Sequence, residues 1–221
     1  MIHQGSIPQP SQLPKAVIFD WDNTLVDTWR TCYEAYNTTL KTFHRPLCTP
    51  EDFTHQPHQS AKDSFPRHFG GQHKEAEEYF YRQIHETHLE NLRPLPGSEK
   101  LLQLLLSQRV YLAVVSNKHG VLLRREVAHL EWGHYFGNVV GSCDTAEDKP
   151  SPLPVFESLK KTNITPGQDV WFVGDSPVDM LCSRNANCVP IYVNSSSVLE
   201  DLPFFYGKDC LSLASIVMDM I

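Results

Sequence analysis

Hydrophobic and polar positions divide the chain into two kinds of segment. From residue 98 onward, short apolar runs alternate with amphipathic stretches. They predict helix 98–108, strand 110–115, helix 121–129, strand 139–140 and helix 152–161. Strand 170–173, helix 178–185, strand 188–193 and a weaker helix at 211–220 follow. Such alternation predicts a parallel sheet with helices on both faces. Near the amino end, Val17, Ile18 and Phe19 form one more apolar run, without polar alternation, and read as a strand buried on both faces.

Between these regions, residues 28–91 carry helical patterns and no strand pattern. Trp29, Tyr33, Tyr36, Leu40 and Phe43 make one apolar stripe along a helix at 28–43, read as local core. Residues 46–58 hold three prolines and read as loop. A helix at 59–65 is expected to end at Pro66, Gly70-Gly71 marks a turn, and 73–91 is helical again. Pro94-Leu95-Pro96-Gly97 reads as a stiff connector, with Ser98 as N-cap of the next helix. The expected architecture is α/β: a Rossmann-like parallel-sheet core at 15–27 and 92–221, an inserted all-helical cap at 28–91, and a flexible tail at 1–14.

Composition narrows the setting. A length of 221 residues is ample for a real core. A formal net charge of −7 argues against nucleic acid as a partner. No apolar run reaches the ~18 residues of a membrane span, and residues 1–14, polar with three prolines, do not read as a secretory signal. The six cysteines have irregular spacing and no CxxC pair, which predicts reduced thiols and a cytoplasmic location. The eleven histidines fall mostly between His44 and His88 without metal-ligand spacing; solvated helix surfaces explain them.

The chemistry concentrates where apolar runs stop. Val17-Ile18-Phe19 ends in Asp20-Trp21-Asp22-Asn23-Thr24, a stretch that taken alone also fits a strand followed by an Asx-rich turn. Val114-Val115 ends in Ser116-Asn117-Lys118, and Trp171-Phe172-Val173 ends in Gly174-Asp175-Ser176-Pro177-Val178-Asp179. Asp148-Lys149-Pro150 stands before the 152–161 helix. Ligands of open α/β sheets bind outside the carboxyl ends of the strands, so these groups converge on one edge. Up to four carboxylates (Asp20, Asp22, Asp175, Asp179) against one Lys149 call for a divalent cation, and an all-oxygen set favours Mg²⁺.

Four groups in this order resemble the motifs of the haloacid dehalogenase-like hydrolases, in particular the capped phosphatases of the phosphoglycolate phosphatase type. The resemblance covers about residues 15–193. It implies a Mg²⁺-dependent phosphatase of a small phosphorylated metabolite, a monomer or homodimer. Asp20 would be the nucleophile that forms an aspartyl-phosphate, and Asp22 the general acid and base, with a pKa raised by burial and negative neighbours. Metal would sit on Asp20, the Asp22 backbone carbonyl and Asp175, with Asp179 holding a metal water or Lys149. Thr24, Ser116, Asn117 and Lys149 would bind phosphate. In the cap, His58, Lys62 and Arg67 are candidate substrate contacts, though each also fits a solvated surface charge. A phosphomutase and a non-catalytic phosphate-ligand protein are the alternatives. One departure stands out: Asn23 occupies the position where the family usually has glycine.

Overall fold

The computed structural model describes residues 12–55, 59–193 and 205–221. It opens with β1 (Ala16–Phe19), β2 (Val26–Asp27), α1 (Trp29–Thr42), α2 (Pro50–Thr54), α3 (Ala61–Phe69), α4 (His73–Thr87) and β3 (Arg93–Pro94). Then come α5 (Ser98–Ser107), β4 (Tyr111–His119), α6 (Gly120–His129), β5 (Asn138–Ser142) and α7 (Leu153–Leu159). The chain closes with β6 (Val170–Gly174), α8 (Pro177–Asn185), β7 (Val189–Val193), β8 (Phe205–Gly207) and α9 (Cys210–Asp219).

The main sheet has strand order β5-β4-β1-β6-β7-β8, and every neighbouring pair is parallel. The α/β expectation therefore holds. β1 lies fully buried near the middle because its side chains feed two cores. Val17 and Phe19 pack with α5, α6 and α9 on one face, through Leu102, Leu123 and Leu213 among others. Ala16 and Ile18 pack with α7 and α8 on the other, through Val155 and Cys182. A strand flanked on both faces by helices needs the continuous apolar run the sequence shows.

This topology positions the site. Phe19 pairs with Val114 on one side and with Val173 on the other. Asp20 and Asp175, each just past the end of its strand, and Ser116 within β4 thus lie at the same edge. Chain order reverses direction between β1 and β6, which is where open α/β sheets form their ligand crevice. A two-stranded antiparallel ladder, with Val26 opposite Pro94, pulls together the two ends of the helical segment α1–α4. That segment has its own core of Tyr36, Leu40, Phe65, Phe69 and Ala76.

Several elements differ from the sequence pattern for identifiable reasons. α3 continues through Pro66 instead of ending there. Pro66 is exposed, while Phe65 and Phe69 anchor the helix, so packing outweighs one lost hydrogen bond. Ser98 is the first helical residue and not the cap. Gly97, at φ 82°, makes the turn, and the Ser98 hydroxyl donates to the Leu95 carbonyl at 2.8 Å. β4 extends through Ser116, Asn117 and Lys118 to His119, with a register shift against β5 after Val115. The short elements α2, β2, β3 and β8 carry too few residues for a periodic signal. No described helix is long and apolar enough to cross a membrane.

Gly141 of β5 lets the β4–α6 junction approach: a Cβ there would lie 2.5 Å from the Gly120 Cα and 2.7 Å from the Lys118 carbonyl oxygen. Both neighbours are backbone and cannot swing aside. Gly141→Ala should cost about 1–3 kcal/mol, a fall of roughly 2–10 °C in melting temperature, measured by differential scanning calorimetry.

Candidate active site

The four sequence groups meet at the carboxyl edge of the sheet. Lys149 is the hub: its buried Nζ donates to Asp20 Oδ1 and to Asp179 Oδ1, each at 2.6 Å. Its backbone is clamped by the Asn117 side chain. Asn117 Oδ1 accepts from the Lys149 N–H at 2.9 Å, and Asn117 Nδ2 donates to the Lys149 carbonyl at 3.1 Å. The β4 extension is what carries Asn117 far enough to do this. Thr24 Oγ1 lies 3.2 Å from Asp175 Oδ1 and 3.5 Å from Asp20 Oδ2. Asp179 Oδ2 accepts from the Ser176 N–H at 3.1 Å and from its hydroxyl at 2.5 Å, a capping box that starts α8. Its other oxygen accepts from Lys149. Ser116 Oγ accepts from the Lys118 N–H at 3.2 Å.

Asp20, Asp175 and Asp179 each offer a carboxylate oxygen, all within 4.8 Å of one another. Burial pushes the Asp20 carboxyl up to about 7, with Lys149 opposing and Asp179 and Asp22 adding to the rise. Burial also raises Asp175 well above the carboxylate range, reinforced by Asp20 and Asp179. Asp20 therefore sits in a desolvated pocket in which one ammonium does not balance three acids. A hard divalent cation among these all-oxygen ligands would restore the ionised forms, so the residues present fit Mg²⁺.

The turn after β1 explains Asn23. Its φ is 58°, and its N–H donates to the Val26 carbonyl at 2.8 Å. This is the left-handed region that asparagine tolerates better than most side chains, so it serves where glycine is usual.

Asp22 has a neighbour that the motifs did not reveal. Its Oδ1 accepts from Lys118 Nζ at 2.5 Å and from Thr28 Oγ1 at 2.6 Å. This cation stands beside Asp22 in addition to its negative neighbour Asp20. Lys118 also bonds both oxygens of buried Glu126, at 2.9 and 2.8 Å. Glu126 in turn accepts from Trp21 Nε1 at 2.7 Å and lies 2.8 Å from His88 Nδ1. Trp21, between the two aspartates, is fully buried and packs edge-on against Trp132. Lys118 stood beside Ser116 in the sequence, but its partners lie 8 and 96 positions away, and no local pattern links them.

Above this floor lies a cavity of about 430 Å³. Asp20, Asp22, Ser116, Asn117, Lys149 and Asp175 line its lower part. Of the expected cap contacts, Arg67 lines the cavity, with its guanidinium donating to the Gln59 side chain. Lys62 does not line it; its exposed Nζ donates to the Ala146 carbonyl at 3.3 Å. His58 lies outside the described residues.

Removing one member of a buried ion pair leaves the other uncompensated. Lys118→Met should cost about 3–5 kcal/mol by urea denaturation, and adding Glu126→Gln should recover part of that loss. Glu126 is held below its usual pKa of 4.5, Lys118 and the hydrogen bonds of His88 and Trp21 outweighing burial. A depressed carboxylate stabilises the fold above its unfolded pKa and loses that effect as pH falls through the folded value. The wild type should therefore lose stability below about pH 4.5, and Glu126→Gln should lose less over the same window.

The family model for haloacid dehalogenase-like hydrolases matches residues 17–193. A phosphoglycolate phosphatase of Pseudomonas savastanoi pv. phaseolicola is 27% identical over 231 residues, covering 95% of this chain and 82% of that protein. Among solved structures, a HAD-superfamily hydrolase of Ehrlichia chaffeensis superposes with TM-score 0.67 at 29% identity, covering 95% of this chain and 98% of that one. CbbY of Rhodobacter sphaeroides, solved with phosphate, gives TM-score 0.76 at 16% identity over 91% and 96%, a likeness of fold. With the motif residues gathered at the expected edge of the sheet, the chain belongs to the haloacid dehalogenase-like hydrolases.

Proposed function

We propose that the protein is a Mg²⁺-dependent phosphomonoesterase acting on a small phosphorylated metabolite through an aspartyl-phosphate on Asp20. The observation that carries this reading is the convergence of Asp20, Asp22, Ser116, Lys149 and Asp175 on one cavity floor. The phosphoglycolate phosphatase relative and the phosphate-bound neighbour support the same chemistry.

Mg²⁺ would be held by the Asp20 and Asp175 carboxylates with the Asp22 carbonyl, and would supply the charge that keeps Asp20 ionised beside a dianion. The remaining work falls to the chain. Asp20 attacks phosphorus, and the bond from phosphorus to the leaving oxygen breaks. Asp22 donates a proton to that oxygen, so the product leaves as a neutral alcohol. Water then attacks the aspartyl-phosphate, Asp22 takes its proton, and phosphate and the Asp20 carboxylate are regenerated. Both structural bonds to Asp22 fall on Oδ1, which leaves Oδ2 for the proton. Lys149 and Ser116 stabilise the equatorial phosphoryl oxygens, and Asp179 holds Lys149 in place. The helical segment 28–91 acts as a cap that keeps bulk water from the covalent intermediate.

The test is hydrolysis of p-nitrophenyl phosphate. Activity should need Mg²⁺, vanish with EDTA and return on adding Mg²⁺. Asp20→Asn should fall to background, and Asp22→Asn should lose about 10²–10⁴-fold in kcat with an alkyl phosphate. Full turnover by Asp20→Asn would sink the mechanism. Isomer interconversion of a sugar phosphate without phosphate release would point instead to a mutase.

A further inference from the structure

The cavity changes character with height, and this deepens the phosphomonoesterase reading on which it rests. Its floor is the charged site described above. Its upper wall is built from Trp29 and Tyr36 of α1, Phe53 of α2, Phe65 of α3, and Phe80 and Ile84 of α4. Some of these rings pack against one another: the ring centroid of Phe53 lies 5.8 Å from that of Trp29 and 5.7 Å from that of Tyr36, and the centroids of Phe65 and Phe80 lie 5.3 Å apart. The aromatic stripe of the first helix is therefore shared between local core and cavity wall. The polar groups set among these rings are mostly neutral or already engaged. Cys32 is kept a thiol, burial pushing it up to about 12. Burial, helped by Arg67, holds His68 below the usual histidine range, and its Nδ1 lies 2.9 Å from Tyr36 Oη.

Charge makes the same point. Three cationic side chains line the cavity among the described residues. Lys149 is shared by Asp20 and Asp179, and Lys118 by Asp22 and Glu126. Arg67 is exposed and bonded to Gln59. A second anionic group on the substrate would have to leave water for rings, with one solvated guanidinium to meet it. Size agrees as well. The cavity, at about 430 Å³, is far larger than a phosphoryl group and lies in the range of small-molecule sites.

We propose that the preferred substrate is a phosphomonoester of an uncharged apolar alcohol or phenol, the phosphoryl group on the floor and the apolar group against the Trp29–Phe53–Phe80 wall. Phosphorylated acids such as phosphoglycolate, and inorganic pyrophosphate, are the poorer class.

The experiment uses the full chain with Mg²⁺ and compares kcat/KM along straight-chain alkyl phosphates from ethyl to hexyl. Leaving-group basicity is nearly constant in that series, so the trend reads burial alone. Each methylene should raise kcat/KM about 3- to 4-fold until the wall is covered, and Trp29→Ala should flatten the slope. Propyl phosphate should exceed phosphoglycolate, its near-isosteric anion, by at least roughly 10-fold. A flat or falling series, or phosphoglycolate ahead of propyl phosphate, overturns this inference while leaving the phosphomonoesterase reading intact. Phosphate release from no member, p-nitrophenyl phosphate included, overturns both.

Discussion

One buried ammonium holds the site together. Lys149 Nζ sits between Asp20 and Asp179, with Asp175 linked to Asp20 through Thr24. Burial disfavours the charged carboxylate and lifts Asp20 to about 7 against the pull of Lys149, with Asp179 and Asp22 adding to the rise. A single lysine leaves this corner short of positive charge. The shortage is consistent with the proposed binding of a divalent cation and a phosphoryl group. Neighbouring features serve to aim this lysine: the Asn117 clamp on its backbone and the Ser176–Asp179 capping box on its partner.

A second buried charge cluster links the site to the helical segment. Lys118 joins Asp22 to Glu126, and Glu126 joins Trp21 of the β1 turn to His88, which follows α4. Thr28, just before α1, bonds Asp22 directly. Both crossings between sheet domain and helices, at 26–28 and 88–94, are therefore tied to Asp22. The β2–β3 ladder fixes the distance between those crossings. The helices thus present their aromatic wall over the floor from a frame tied to Asp22.

The sequence determined more of the core than of its surroundings. Unbroken apolar runs marked β1 and β6, because a strand covered on both faces has no room for polar alternation. Acids at the ends of such runs, with Lys149 ahead of a helix, were legible as a candidate site, because their burial is costly without a purpose. Asn23 in place of glycine could be read as a tolerated left-handed turn from residue type alone, and its φ of 58° agrees.

Only the tertiary structure decided the rest. α3 runs through Pro66 because packing of Phe65 and Phe69 outweighs local preference. β4 runs on through Ser116, Asn117 and Lys118 because His119 pairs with Ser142 of β5 beyond a register shift that follows Val115. The Lys118–Glu126–His88 cluster and the aromatic wall join residues tens of positions apart, and periodicity within one element contains no information about contacts between elements. Asp20 and its motif partners were visible because chemistry fixes the residue type at each strand end. The leaving-group wall was hidden because an aromatic on a helix looks the same whether it faces a core or a cavity.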